Sequence, residues 1–283
     1  MLYLVATPIG NLGDITIRAL EILKQADLIA AEDTRRTMKL LNHYEIRTPV
    51  VSYYEHNKIV RGRELIEKLR SGLNIALVSD AGTPGISDPG ADLVRLATEN
   101  EIPVSMAPGP AAGIMALVLS GFSTDRFVFE GFISRETKER QAFADRIRIE
   151  KRTVILYEAP HRLLRTLEFL ADLLGPDRKI AICRELTKVF EEIRRGSVQS
   201  HLHYFTEHAP KGEFVLVLEG AAETAETRQW IPSEKDIYLR VTAYMAQGSS
   251  KNEAIRQTAL EFDLGRNKIY AAYENEKASL SEN

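Results

Sequence analysis

The chain has little cysteine. Cys183 is the sole one among 283 residues, so no intrachain disulfide can form and a reducing, cytoplasmic setting is expected. It ends an apolar run, Lys179-Ile-Ala-Ile-Cys183, which suits a small core residue better than a nucleophile. Long hydrophobic runs are missing as well. No stretch approaches the ~18 apolar residues of a membrane span. The apolar start, Met1–Ala6, lacks the basic flank of a signal peptide and runs straight into a loop. Charge of one sign is absent too: 37 Lys and Arg stand against 40 Asp and Glu. Nucleic acid is therefore not held by a global basic field, and such a partner would need a local patch.

What is present is an ordinary globular composition, 44% apolar and 27% charged, long enough for two domains or slightly more. Strand-like and helix-like segments alternate. Leu2–Ala6, Leu28–Ala31, Val50–Tyr53, Ile75–Ser79 and Val104–Ala107 read as strands. Between them Ile15–Gln25, Thr34–Tyr44, Lys58–Arg70 and a segment from Pro89 have helical spacing. This rhythm predicts an α/β domain over 1–110 with a mainly parallel sheet. A second α/β domain is expected over 111–222. Its strands are Phe127–Glu130, Thr153–Tyr157, Ile180–Cys183, Val189–Arg195 and Phe214–Leu218, and its helices Ala111–Leu119, Lys138–Ile149, Pro160–Leu174 and Ser197–Thr206. The short step between its third and fourth strands makes that sheet mixed. Glu219–Arg228 reads as a linker. A small helical tail over 229–283 follows, with segments Pro232–Gln247, Lys251–Phe262 and Gly265–Tyr273. The last two, about a turn at Asp263–Gly265, have a helix-turn-helix pattern, but the tail's nearly balanced charge weakens a DNA-binding reading.

Three loops join a strand to a helix and are rich in glycine and proline: Thr7–Gly13, Asp80–Gly90 and Pro108–Gly113. Ligands of parallel sheets bind at such strand ends. The first loop carries Gly10 and Gly13 but is neither G-x-G-x-x-G nor a P-loop, which disfavours a nicotinamide enzyme and a P-loop nucleotidase. No Lys or Arg sits inside the three loops, so phosphate has no anchor there. Backbone groups and one or two carboxylates suit a nucleoside bearing a sulfonium.

Thr7-Pro-Ile-Gly-Asn-Leu-Gly-Asp14, Ala31-Glu-Asp-Thr-Arg35, Ser79-Asp-Ala-Gly-Thr-Pro84 with Ser87-Asp-Pro-Gly90, and Pro108-Gly-Pro110 resemble the tetrapyrrole methylase superfamily. Tyr157-Glu-Ala-Pro-His-Arg162, Arg184-Glu-Leu-Thr-Lys188, Lys211-Gly-Glu-Phe214 and the helical tail extend the match over almost the whole chain. Jointly they resemble most the branch that 2′-O-methylates a cytidine in the decoding region of 16S rRNA. The resemblance implies a bilobal fold of two α/β domains with a small C-terminal helical domain, a homodimer, and S-adenosyl-methionine between the lobes. It places the cofactor against Asp80, Ala81, Gly82 and Thr83, against Pro108, Gly109, Pro110, Ala111 and Ala112, and against Glu158 and Ala159. Lys211, Gly212 and Glu213 close the site. Tetrapyrrole-methylating relatives carry a more glycine-rich first loop. Here Pro8 and Asn11 stand in that loop and are expected to face substrate.

Methyl transfer to a ribose hydroxyl needs positioning, a proton acceptor and a cation for the developing alkoxide. Glu32 and Asp33 are candidate bases, with Asp33 preferred, while Arg35 is a candidate phosphate holder. Asp80 is read as a cofactor-side residue. The plain alternative is that Asp33 or Thr34 caps a helix. Glu185 and Lys188 are second candidates, or else a cross-strand ion pair. Arg36, Arg61 and Arg63, with the seven basic residues of Arg135–Arg152, supply possible RNA contacts, or ordinary solvated helix faces. His56 is a candidate for base stacking or for a packing cluster. His201 and His203 lack companions at metal-ligand spacing, so no metal is expected. Rival readings are a small-molecule, tetrapyrrole-type methylase, a non-enzymatic nucleic-acid-binding protein, and a metal phosphohydrolase using Glu32, Asp33, Asp80 and Asp88.

Overall fold

A computed structural model describes residues 1–221, 232–262 and 264–281. Two compact units are formed, Met1–Ala221 and Ala222–Asn283. The first opens with β1 (Leu2–Val5), α1 (Ile17–Gln25), β2 (Leu28–Ala31), α2 (Thr34–His43), β3 (Val50–Ser52), α3 (Lys58–Arg70), β4 (Ile75–Val78), α4 (Gly90–Glu99) and β5 (Val104–Ala107). The strands pair in parallel in the order β3-β2-β4-β1-β5. β2 and β4 are buried at every position. A parallel sheet covered on both faces demands such unbroken apolar runs. Ala19 and Leu23 of α1 pack on one face with Ile29 and Ala76. Leu93 and Ala97 of α4 pack on the other with Leu4 and Leu77. The neighbours β1 and β4 therefore send their chains to opposite faces, which opens a crevice at their carboxyl ends.

The same unit continues with α5 (Ala112–Ser120), β6 (Phe127–Phe132), α6 (Thr137–Ile149), β7 (Thr153–Glu158), α7 (Leu163–Leu174), β8 (Lys179–Arg184), β9 (Glu192–Ser197), α8 (Val198–Glu207) and β10 (Phe214–Leu218). The second sheet has the order β6-β7-β10-β8-β9. It is mixed: β6 and β7 run parallel and the remaining pairs antiparallel. Cys183 lies in its core beside Ala116 and Val217, and burial pushes its thiol up to about 11.

Two starts in this lobe fall later than the sequence reading places them. The fourth strand of this lobe begins at Glu192, not Val189. Glu185 and Thr187 adopt positive φ and the Thr187 N–H donates to the Glu191 carboxylate at 2.7 Å, so residues 185–191 fold back into a loop with Val189 and Phe190 exposed at its tip. α7 begins at Leu163, because Pro160 lies in a turn closed by the Arg162 N–H on the Ala159 carbonyl at 3.0 Å.

The second unit contains α9 (Glu234–Ala246), α10 (Lys251–Glu261) and α11 (Arg266–Ser281). Ile237, Val241, Ile255, Ile269 and Tyr273 form its core. Ser233 caps α9 in a reciprocal box with Asp236. α11 runs on past Tyr273, where the sequence reading ended it. Most of the expected linker, and Asp263 in the expected turn, lie outside the described residues.

Candidate active site

Loops after β1 and β4 meet at the crevice. Thr7 and Gly82 exchange both backbone hydrogen bonds, at 2.9 and 3.0 Å. Gly82 sits at φ +80°, a left-handed conformation that costs other residues energy. The Thr83 hydroxyl donates to the Pro110 carbonyl at 3.0 Å and ties the third loop to the second.

On one side of the Thr7–Gly82 bridge lies a cavity of about 410 Å³. Ala81, Gly82, Thr83, Ala111 and Ala112 line it from the second and third loops, and Glu158, Ala159 and Glu213 from the second lobe. These are eight of the expected cofactor residues. Of the others, Pro108, Gly109, Pro110, Lys211 and Gly212 are not on its lining. Pro108 accepts a hydrogen bond from Thr16, and a Cβ on Gly109 would press on Ala6. Arg184 binds the Lys211 carbonyl at 2.7 Å, and Gly212 packs on the Glu185 side chain. The sequence reading missed Ile9, Ile86, Phe132, Tyr157, Phe214 and Val215, which also line the cavity. Strand register places three of them: Phe132, Tyr157 and Val215 are cross-strand partners on β6, β7 and β10.

Glu158 contributes backbone more than carboxylate. Its side chain is fully enclosed and faces Arg162 Nε at 3.3 Å. It accepts from the Ala159 N–H at 2.8 Å and from the Thr166 hydroxyl at 2.5 Å.

On the other side of the bridge is a smaller cleft of about 190 Å³, lined by Thr7, Pro8, Arg36, Lys39, Ser79 and Asp80 among others. Asp80 thus borders this cleft and not the larger cavity, contrary to the sequence reading. Its Oδ1 accepts from the Asp33 N–H at 2.9 Å and its Oδ2 faces Arg36 at 3.3 Å. The buried Thr7 hydroxyl has no hydrogen-bond partner. Glu32 lies one layer behind and accepts from the Asp80 N–H at 3.2 Å. Burial raises its pKa, and the nearby Asp80 and Asp88 charges add to the shift.

The preferred base, Asp33, turns out to be the N-cap of α2, accepting from the Arg35 N–H. Its two oxygens also hold the Arg35 guanidinium, at 3.1 and 2.9 Å. That hydrogen bonding lowers its pKa to about 2, so the Asp33 carboxylate is taken up by the cap and by Arg35, whose guanidinium stays largely exposed. Lys188 is committed as well, to Glu185 at 2.8 Å and Glu213 at 2.9 Å. Burial opposes its charge, but those two partners outweigh burial and raise its pKa. Its stem lies on Gly10, where any Cβ would collide with it. The Asn11 N–H donates to the Thr187 hydroxyl at 3.2 Å and its side chain caps the turn at Leu12–Asp14, so it ties the first loop to the second lobe and does not line the cleft. Arg61 pairs with Glu64 along α3, and neither Arg61 nor Arg63 lines the cleft. His56 stands edge-on to Tyr54. The buried His201 ring bonds the Ile180 carbonyl, whereas His203 faces Glu207. Among the described residues no His, Cys, Asp and Glu cluster could hold a metal, and no helix is long and apolar enough to cross a membrane.

Two lobes, a crevice at strand ends and a phosphate-free cavity define a class. The family model for Tetrapyrrole (Corrin/Porphyrin) Methylases matches residues 1–201, and the chain belongs to that family. Within it, the chain is 53% identical over 270 residues to the Ribosomal RNA small subunit methyltransferase I of Synechocystis sp., covering 95% of this chain and 96% of that protein. It is 46% identical over 275 residues to the Bacillus subtilis protein of the same name, covering 96% and 94%. Solved folds agree. A diphthine synthase crystal structure superposes with TM-score 0.60 at 15% identity, covering 77% of this chain and 90% of that one. Uroporphyrin-III-C-methyltransferase from Thermus thermophilus gives 0.55 at 20% identity, covering 77% and 93%.

Proposed function

We propose that this chain is an S-adenosyl-methionine-dependent methyltransferase that 2′-O-methylates a cytidine ribose in the decoding region of 16S rRNA. The observation that carries this is the pairing of two unlike cavities across the Thr7–Gly82 bridge. One is apolar and has no lysine or arginine on its wall. The other is polar and holds Arg36, Lys39 and Asp80. The first suits a nucleoside without phosphate, in the size range of small-molecule sites. The second suits a ribose with its phosphate. Near-full-length identity to two relatives named as rRNA methyltransferases supports the substrate class.

S-adenosyl-methionine, when bound, supplies a methyl group already activated by its sulfonium. Ala81–Thr83, Ala111, Ala112, Ala159 and Glu213 would hold it. The chain's own work is then positioning and charge. Arg36 neutralises a phosphate or a developing alkoxide. Asp80 faces the cleft and accepts the hydroxyl proton. Glu32 and the Asp33 N–H fix the Asp80 backbone and carboxylate. Asp80 therefore takes the base role that the sequence reading gave to Asp33, and Asp33 positions it. Two copies are proposed to associate through the exposed apolar side chains Ile114, Val118, Phe127 and Phe129, in the cytoplasm.

The test is methyl transfer from labelled S-adenosyl-methionine to small ribosomal subunits, with the product mapped to ribose or base. Asp80→Asn keeps the acceptor for the Asp33 N–H and is expected to lose ~10²–10⁴ in kcat. Asp33→Asn keeps the cap and stays within a few-fold of wild type. Methylation of a base, or full activity in Asp80→Asn, contradicts the assignment.

A further inference from the structure

A second basic cavity, of about 480 Å³, lies beyond the cofactor wall. It opens between the β6–α6 and β7–α7 junctions, and Ser134, Arg135, Arg140, His161, Arg162 and Arg165 line it. Four arginines and a histidine thus line one space, and no Asp or Glu is among its lining residues. Only Arg162 has a charge partner there, the enclosed Glu158. The Arg140 guanidinium lies 4.0 Å from the Phe169 ring centroid, a cation–π contact that uses none of its N–H donors. The side chains of Arg135, His161 and Arg165 make no ion pair or hydrogen bond among the described residues. On α6, by contrast, Arg146 binds Glu130 at 2.8 Å.

Converging unpaired cations repel one another, and an anion removes that cost. Arginine forks match phosphate oxygens in two-point contacts. The cavity also shares its wall with the cofactor cavity: Phe132 and Glu158–Pro160 border one, and Ile133 and His161–Arg162 the other. We infer that this arginine cavity binds the phosphodiester backbone of the RNA strand beside the methylated nucleotide. The inference rests on the RNA reading above. It adds a site in the second lobe that positions the strand without reading its bases, separate from the Arg36–Asp80 cleft.

The test uses the full-length protein with Arg135→Gln, Arg165→Gln and both together, and Arg47→Gln as control. Arg47 is exposed just before β3, at the end of the sheet away from the crevice. A fluorescein-labelled single-stranded RNA is titrated at several salt concentrations. Each lost phosphate contact should make the slope of log Kd against log salt shallower by ~0.7. For the double variant, ~1.4 in slope means about tenfold weaker binding near physiological salt. KM for small subunits should rise by about the same factor, with kcat, S-adenosyl-methionine affinity and the Arg47→Gln slope unchanged. An unchanged slope in the double variant overturns the inference. In a second arm inorganic phosphate replaces RNA in calorimetry. Saturable binding lost in the double variant, with the RNA slope intact, makes this a free-anion site and also overturns it. Wild type that methylates no rRNA sinks the functional reading instead, while the oligonucleotide slopes still decide the cavity.

Discussion

Arg162→Met is the most exacting perturbation of the cofactor wall. It keeps most of the apolar stem and removes the charge. The Glu158 carboxylate that remains has no exposed side-chain surface. Its surviving partners are the Ala159 N–H and the Thr166 hydroxyl, both neutral. Breaking a buried pair from one side leaves an uncompensated charge and costs ~3–5 kcal/mol. Domains hold only about 5–15 kcal/mol in total. For a unit of this size the loss corresponds to a fall in Tm on the order of 10 °C. Adding Glu158→Gln to Arg162→Met removes the charge and keeps an acceptor for Ala159, so most of the loss should return. Guanidinium unfolding followed by circular dichroism gives both values. S-adenosyl-methionine affinity should fall and recover in parallel, because Ala159 and Pro160 line the cavity. A loss below ~1 kcal/mol, or no recovery in the double variant, refutes the reasoning.

Two other outcomes are expected. Glu32 has its pKa raised above the ordinary 4.5 by burial. Such a group contributes stability below its unfolded pKa and loses it as pH rises through the folded one. Glu32→Gln should therefore be more stable than wild type near pH 7, with the difference closing below about pH 4 in thermal melts; a constant difference across that range contradicts the burial argument. Cys183, with its thiol pushed up to about 11, should react with a thiol reagent only as fast as the protein unfolds, and prompt labelling of native protein would place it outside the core.

Much of the architecture was legible because it rests on local signals. Unbroken apolar runs such as Ile75–Val78 require a strand covered on both faces. Glycine and proline after β1, β4 and β5 mark the loops that build the cavity. What was not legible depends on distant hydrogen bonds. Nothing in Glu32-Asp33-Thr34-Arg35 tells that Asp33 spends its carboxylate on Arg35, or that its N–H holds Asp80 in the cleft. Likewise, Arg184-Glu-Leu-Thr-Lys188 does not show that Glu185 and the distant Glu213 share the Lys188 ammonium. The Thr187 N–H on the Glu191 carboxylate draws Val189–Glu191 into the loop ahead of β9, although those residues read as the start of a strand. Phe132 and Val215 reach the cavity through strand register, which only pairing reveals.

The central claim is that the cavity between the lobes is the methyl donor's seat. Calorimetric titration with S-adenosyl-methionine tests it most directly, on wild type and on Ala112→Phe, which puts a ring where a methyl lines the wall. One saturable site per chain in wild type, lost in a folded Ala112→Phe protein, is the predicted result. No binding by folded wild type at high micromolar ligand, or equal binding by both proteins, contradicts it.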